Sequence, residues 1–109
     1  IIRKVKKKKM KFQYIIILLI VSLTYVQACR IKLVSNAYNT TVDGLPGECR
    51  GLGIPNIKEV VPLIPPDNRN CYAFFRKYGC SGAVVRYDCG HQKYFPPINA
   101  LSVRLLCRF

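Results

Sequence analysis

Six cysteines, at positions 29, 49, 71, 80, 89 and 107, limit what this chain can fold into more than any other feature. All lie in the part of the chain from Cys29 to Phe109. An even number of cysteines in so short a stretch, behind a secretory-type leader, implies three disulfides in an oxidising compartment. No two cysteines stand at C-x-x-C spacing and His91 is the only histidine, so the usual zinc arrangements are excluded. Six cysteines allow fifteen pairings, and the spacing does not choose among them. A domain of this size builds only a modest core. Each bridge would add about 2–4 kcal/mol by restricting the unfolded chain.

The leader is read from residues 1–28. "RKVKKKKMK" carries seven basic residues and no acid, "FQYIIILLIVSLTYV" is mostly apolar, and "VQA" ends on a small residue before Cys29. A charged region, an apolar region and a small residue at the boundary make a secretory signal peptide, with cleavage expected between Ala28 and Cys29. Met10 is the only methionine, and translation is expected to begin there, with residues 1–9 as upstream sequence. Two rivals fit less well. The unbroken apolar core, Ile15 to Val21, is short of the roughly 20 residues that a spanning helix needs. "VQAC" loosely resembles a lipobox, but Gln27 suits that motif poorly, and lipidation of Cys29 would leave an odd number of cysteines.

Removing the leader changes the charge. The formal +13 becomes eleven basic residues against five acids, a net +6, with no basic run longer than Arg76-Lys77. A scattered surplus of this kind gives no case for nucleic acid as a partner.

The remaining chain reads as strands and turns. "CRIKLVS" alternates Ile31 and Leu33 against Arg30 and Lys32, while "CYAFF" and "GAVVRYDC" are rich in aromatic and β-branched residues. "LSVRLLCRF" sets Val103, Leu105 and Cys107 on one side. Short runs of this type, bounded by glycine, proline and asparagine, predict an all-β domain. No helical period is present beyond the leader, and paired prolines (Pro65-Pro66, Pro96-Pro97) argue against helices. A faint repeat is also visible. Glu48-Cys49 and Asp88-Cys89 are 40 residues apart, with Pro62 and Ser102 each 13 residues beyond the cysteine. It suggests one disulfide-rich domain over 29–109 in two four-strand halves, about 29–66 and 71–109, joined by "PPDNRN".

"FFRKYGCSG" followed by "SVRL" resembles the βγ-crystallin Greek-key signature. Phe74 and Phe75 match the aromatics that open the first strand, Gly82 the glycine of a folded hairpin, and Ser102 the serine that packs back on that hairpin. Cys80 stands where that family usually has an aromatic, so a disulfide would replace the ring contact. The first half matches only in outline: it lacks the aromatic pair, Pro62 stands at the serine position, and "GECRGL" resembles the turn before the third strand. The resemblance implies a double Greek-key sandwich of the small, secreted, cysteine-rich branch, effector-like or killer-toxin-like. The aromatic crowding from Tyr72 to Tyr87 would then build the hairpin and core. Many members of that family bind calcium through paired Asn/Asp residues a few positions before the serine, with a Ser/Thr next to it. Here Pro97, Ile98 and Leu101 stand at those positions, and Val61 and Pro62 replace the hydroxyls of the first half. Calcium takes six to eight oxygens, so no family-type calcium site is expected, and no other cofactor or metal.

Nor is an enzyme expected. His91 in "DCGHQK" reads as an exposed loop residue, and a cysteine–histidine nucleophile would need a free thiol. A ribonuclease-like pairing of His91 with Glu48 and an arginine has no supporting spacing. The five acids, Asp43, Glu48, Glu59, Asp67 and Asp88, stand singly, and a glycosidase pair would require two of them to converge in space. Asn39-Thr40-Thr41 is an N-glycosylation sequon, read as a surface loop between two strands. These readings together predict a secreted, monomeric protein that acts by binding. Its expected partner is a cell wall, a membrane, or the surface of a host or competitor, as for an effector or antimicrobial protein. The alternatives are a structural wall or matrix protein and, third, a small secreted hydrolase.

Overall fold

The computed structural model describes residues 27–109. The expected leader, including Met10, falls outside the described residues except for Gln27 and Ala28, which are exposed and precede the first strand. Eight strands form and no helix is present among the described residues: β1 (Cys29–Ser35), β2 (Asn39–Gly44), β3 (Cys49–Gly51), β4 (Ile57–Ile64), β5 (Cys71–Phe75), β6 (Val84–Cys89), β7 (Gln92–Ile98) and β8 (Ser102–Leu105). They make two four-stranded sheets, ordered β2-β1-β4-β7 and β3-β8-β5-β6, with every pair antiparallel. The first four strands keep β1, β2 and β4 together and send β3 to the other sheet. The second four keep β5, β6 and β8 and send β7 back.

The period-two pattern decides which faces meet. Ile31, Leu33, Val42, Ile57 and Val60 point inward from the first sheet, and Tyr72, Phe74, Val103 and Leu105 from the second. Arg30 is exposed and Lys32 half-buried on the opposite side of β1. The Tyr72 and Phe74 rings meet edge-on at 5.6 Å, and Phe74 meets Tyr94 of β7 edge-on at 6.5 Å, so aromatic contacts cross from one sheet to the other. The aromatic run divides at this point. Tyr72 and Phe74 enter the core, Phe75 is half-buried, and Tyr78 and Tyr87 are 64% and 58% exposed.

All six cysteines pair, as Cys29–Cys107, Cys49–Cys80 and Cys71–Cys89. Cys29–Cys107 is buried and joins β1 of one sheet to the chain just beyond β8 of the other. Cys71–Cys89 links directly opposed residues of β5 and β6. Between the halves, Asn70 is fully buried, and its amide nitrogen lies 3.0 Å from the Arg30 carbonyl and 3.1 Å from those of Ile64 and Pro65. It therefore ties β5 to β1 and to the end of β4. Its Oδ1 is buried without a hydrogen-bond partner.

Two local expectations are corrected. Pro62 is not the counterpart of Ser102: it is well inside β4, which starts at Ile57, whereas Ser102 is the first residue of β8. The equal offsets from Cys49 and Cys89 are coincidental, because Cys49 opens β3 while Cys89 closes β6. Proline is tolerated inside β4 because β7 pairs with it only as far as Val60, and the β1–β4 register shifts between Arg30 and Ile31. Asn39 lies not in a loop but at the first position of the edge strand β2, opposite Val34, where it is exposed.

Candidate functional site

The β5–β6 hairpin is long and folds back on its sheet. Gly79 and Gly82 take φ of +72° and +77°, the left-handed region that a side chain disfavours. Cys80 takes a φ of +53° despite its side chain, and two restraints hold it there. One is its bridge to Cys49 on β3. The other is Ser102, whose fully buried Oγ accepts the Cys80 N–H at 2.9 Å and donates to the Lys77 carbonyl at 2.5 Å. The Arg76 N–H closes the base of the hairpin on the Ala83 carbonyl at 3.1 Å.

The hairpin forms one wall of an open groove of about 730 Å³. Arg76 and Tyr78 come from the hairpin, Val85 from β6, Leu52 to Pro55 from the β3–β4 loop, and Asn99 to Leu101 from the β7–β8 loop. Leu52, Ile54 and Ala100 are buried and form an apolar floor, while Leu101 and Tyr78 are exposed on the rim. The loops are tied in place. The Leu52 N–H reaches the Leu101 carbonyl at 2.9 Å, and the Leu101 N–H that of Phe75 at 3.0 Å. Tyr38 donates to the Gly53 carbonyl at 2.6 Å, Ser35 to that of Pro55 at 2.7 Å, and the Asn56 N–H to Asn99 Oδ1 at 2.9 Å. The lining includes no carboxylate, histidine, cysteine or serine; its one charged group is the Arg76 guanidinium. An apolar cleft with few polar groups, formed in advance by rigid loops, suits capture of a ligand with an apolar body.

Four of the five acids pair with an arginine, and the fifth is hydrogen-bonded by the histidine. Asp43 pairs with Arg30 at 2.6 Å, Glu48 with Arg50 at 2.6 Å, Asp67 with Arg69 at 3.1 Å and Asp88 with Arg86 at 2.9 Å; Glu59 is hydrogen-bonded by His91. His91 thus finds Glu59 and not Glu48, because it directly precedes β7, which lies beside β4, whereas Glu48 precedes β3 in the other sheet. The His91 hydrogen bond holds the Glu59 carboxyl below its ordinary range, with help from the charges of Lys93 and Lys32. The Leu45 N–H and then Arg50 do the same for Glu48. Between the sheets, Tyr94 donates to Asp88 at 2.8 Å beneath the Arg86 guanidinium, which lies 5.2 Å from the ring centre, and Tyr72 donates to the Gly90 carbonyl at 2.6 Å. Burial raises the pKa of both phenols. They seal the β6–β7 corner as neutral donors.

Among the described residues no cluster of three or more His, Cys, Asp or Glu occurs. Pro97 and Ile98 end β7, and Leu101 lies on the groove rim. Phe74, Phe75, Gly82, Cys80 and Ser102 converge on the hairpin and its support, whereas Asn39 lies on the far edge of the other sheet. The groove residues were not legible in advance, since they come from separate loops and share no motif. Of these residues, Arg76 stood out in the longest basic run, Tyr78 in the aromatic stretch and Leu101 beside Ser102, none of them as part of a groove. No protein-family profile, curated protein or solved structure matches the chain.

Proposed function

We propose that this is a small secreted binding protein of βγ-crystallin-like double Greek-key type, effector-like or antimicrobial in role, that takes its ligand in the loop groove. The observation that carries the reading is the groove: a rigid apolar cleft with a cation at its rim and no reactive side chain in its lining. The family assignment is supported by the exchange of the third strand of each half, the positive φ of Gly82 and the buried Ser102 hydroxyl beneath the hairpin. Three disulfides in a domain this small are typical of extracellular proteins, which supports secretion. Glycosylation at the exposed Asn39 fits the same route.

The test is a growth-inhibition panel of fungi and bacteria with the wild type and Leu101→Arg, which obstructs the groove from its exposed rim. Inhibition by the wild type that is lost in the variant is expected. No inhibition by the wild type at high micromolar concentration refutes the antimicrobial role, and equal inhibition by both proteins refutes the groove as its site.

A further inference from the structure

The β7 edge carries a feature that neither the core nor the groove explains. Between the paired positions Ile57↔Ile98 and Glu59↔Lys93, β4 has one residue, Lys58, while β7 has four, Tyr94 to Pro97. The excess is pushed outward as a broad bulge on an edge strand. Tyr94 turns inward beneath the bulge, where it is buried, packs against Phe74 and donates to Asp88. Phe95 therefore points away from the core and is 100% exposed. Pro96 and Pro97 follow it, with fixed φ and no N–H to pair. The bulge is pinned beneath by Tyr94 and stiffened by two prolines, with a bare phenyl ring held out in water.

Its surroundings are cationic. Lys93 is exposed on the same outward side of β7, Lys58 is exposed opposite the bulge, and Lys32 and Lys93 both lie close enough to Glu59 to influence its charge. Glu59 is the one acid here and is engaged by His91, while the other four acids are paired elsewhere with arginines. Glu59 is thus the one carboxylate shared among His91, Lys93 and Lys32, and the three lysines leave the patch net positive.

We infer that the Phe95 bulge is a membrane-docking tip that inserts its ring into an anionic bilayer while Lys58, Lys93 and Lys32 lie against the headgroups. An aromatic ring at the interface supplies apolar burial, and each lysine near an anionic surface adds attraction that salt screens. The chemistry favours lipid over polysaccharide. Phenylalanine has no polar atom to offer a sugar hydroxyl, and its neighbours in the bulge are prolines. The tip is separate from the groove, since Lys58, Lys93, Phe95 and Pro96 are not among the groove-lining residues.

The test uses the full chain produced by secretion in its oxidised form. It is sedimented with vesicles of phosphatidylcholine alone or mixed with phosphatidylglycerol. Binding to the mixed vesicles only, weakening with salt, is expected. Phe95→Ala should reduce it about tenfold or more, and Lys58→Glu and Lys93→Glu about fivefold or more each. Phe95 has no core contact to lose, so the variant should fold normally. The chain has no tryptophan, so emission from Phe95→Trp reports this position alone, and it should shift to the blue on anionic vesicles. Leu101→Arg should keep its vesicle binding, which separates failure of the tip from failure of the groove. Absence of binding, binding undiminished in Phe95→Ala, or a Phe95-dependent preference for dextran sulfate over vesicles would each overturn the inference.

Discussion

Ser102→Ala removes one oxygen from a fully buried position and strips two partners at once. The Cys80 N–H loses its acceptor and the Lys77 carbonyl loses its donor. Leaving a buried polar group unpaired costs about 1–3 kcal/mol, and a hydrogen bond exposed to water costs less. The hairpin is partly solvated at Cys80 and exposed at Lys77, so each loss belongs near the low end of that range. The expected total is roughly 2–3 kcal/mol, a large part of the 5–15 kcal/mol typical of a small domain. The Cys49–Cys80 bridge keeps the hairpin near its sheet, so it should loosen without detaching. Urea denaturation measures the global effect, and amide exchange at Cys80 the local one. Exchange should quicken roughly thirtyfold, the equivalent of about 2 kcal/mol. Ser81→Ala is the control: its hydroxyl donates to the Tyr78 carbonyl at 2.9 Å in an exposed setting, and the change should stay within about 0.5 kcal/mol. A Ser102→Ala protein as stable as the Ser81→Ala control, with unchanged Cys80 exchange, would refute the claim that this hydroxyl holds the hairpin.

Replacing Cys29 and Cys107 together by alanine opens a loop spanning 78 residues. The chain-entropy relation gives about 4–5 kcal/mol for such a loop, and about 4 kcal/mol once the other two bridges shorten the effective path. The melting midpoint should fall by roughly 15–30 °C, and a loss of less than about 1 kcal/mol would refute the entropic account. Acid should destabilise the fold. Glu48, Glu59 and Asp67 are each held below their ordinary carboxylate values, by the Leu45 N–H, His91 and Arg69 respectively as the main causes. Groups with a depressed folded pKa contribute stability that is complete above the unfolded value and is lost as pH falls through the folded one. The midpoint should therefore hold steady from pH 7 to 5 and drop below about pH 4; a midpoint that rises over that acid range would contradict the pairing.

The sequence revealed most where alternation or strand-forming composition acts locally and least where pairing is long-range. β1 alternates throughout and β8 from Val103 onward, whereas β5 is buried at four successive positions and is legible from its aromatic content; the all-β class follows from these local signals and the oxidised cysteines from cysteine number. β7 was hidden by "FPP", because prolines that would spoil a central strand are tolerated on an edge that bulges. β2 was hidden by "NTTVDG", whose polar alternate positions face water. The disulfide partners depend on which strands become neighbours, and neither half makes all of its pairings internally, since β3 and β7 change sheets. The groove has the same origin: three loops meet only after that exchange. Phe95 could not be identified as exposed from "KYFPPI", since either aromatic could have taken the inward place.

The two halves are not structurally equivalent, and one difference lies in a single connection. β1 and β2 are joined by a tight turn closed from the Ser35 N–H to the Tyr38 carbonyl at 3.0 Å. β5 and β6 are joined by the long folded hairpin, which supplies Arg76 and Tyr78 to the groove. A longer connection has more freedom to lose on folding, and here a disulfide, a buried serine and two left-handed glycines hold it. The same logic applies to the surface. With every acid paired to a neighbour and three bridges restricting the unfolded chain, stability does not require Phe95, Tyr78 or Leu101 to be buried. Exposed apolar groups of this kind weaken solubility and add nothing to the core. Their position on tied loops and a proline-bearing bulge is what the proposed groove ligand and the proposed membrane contact would each require.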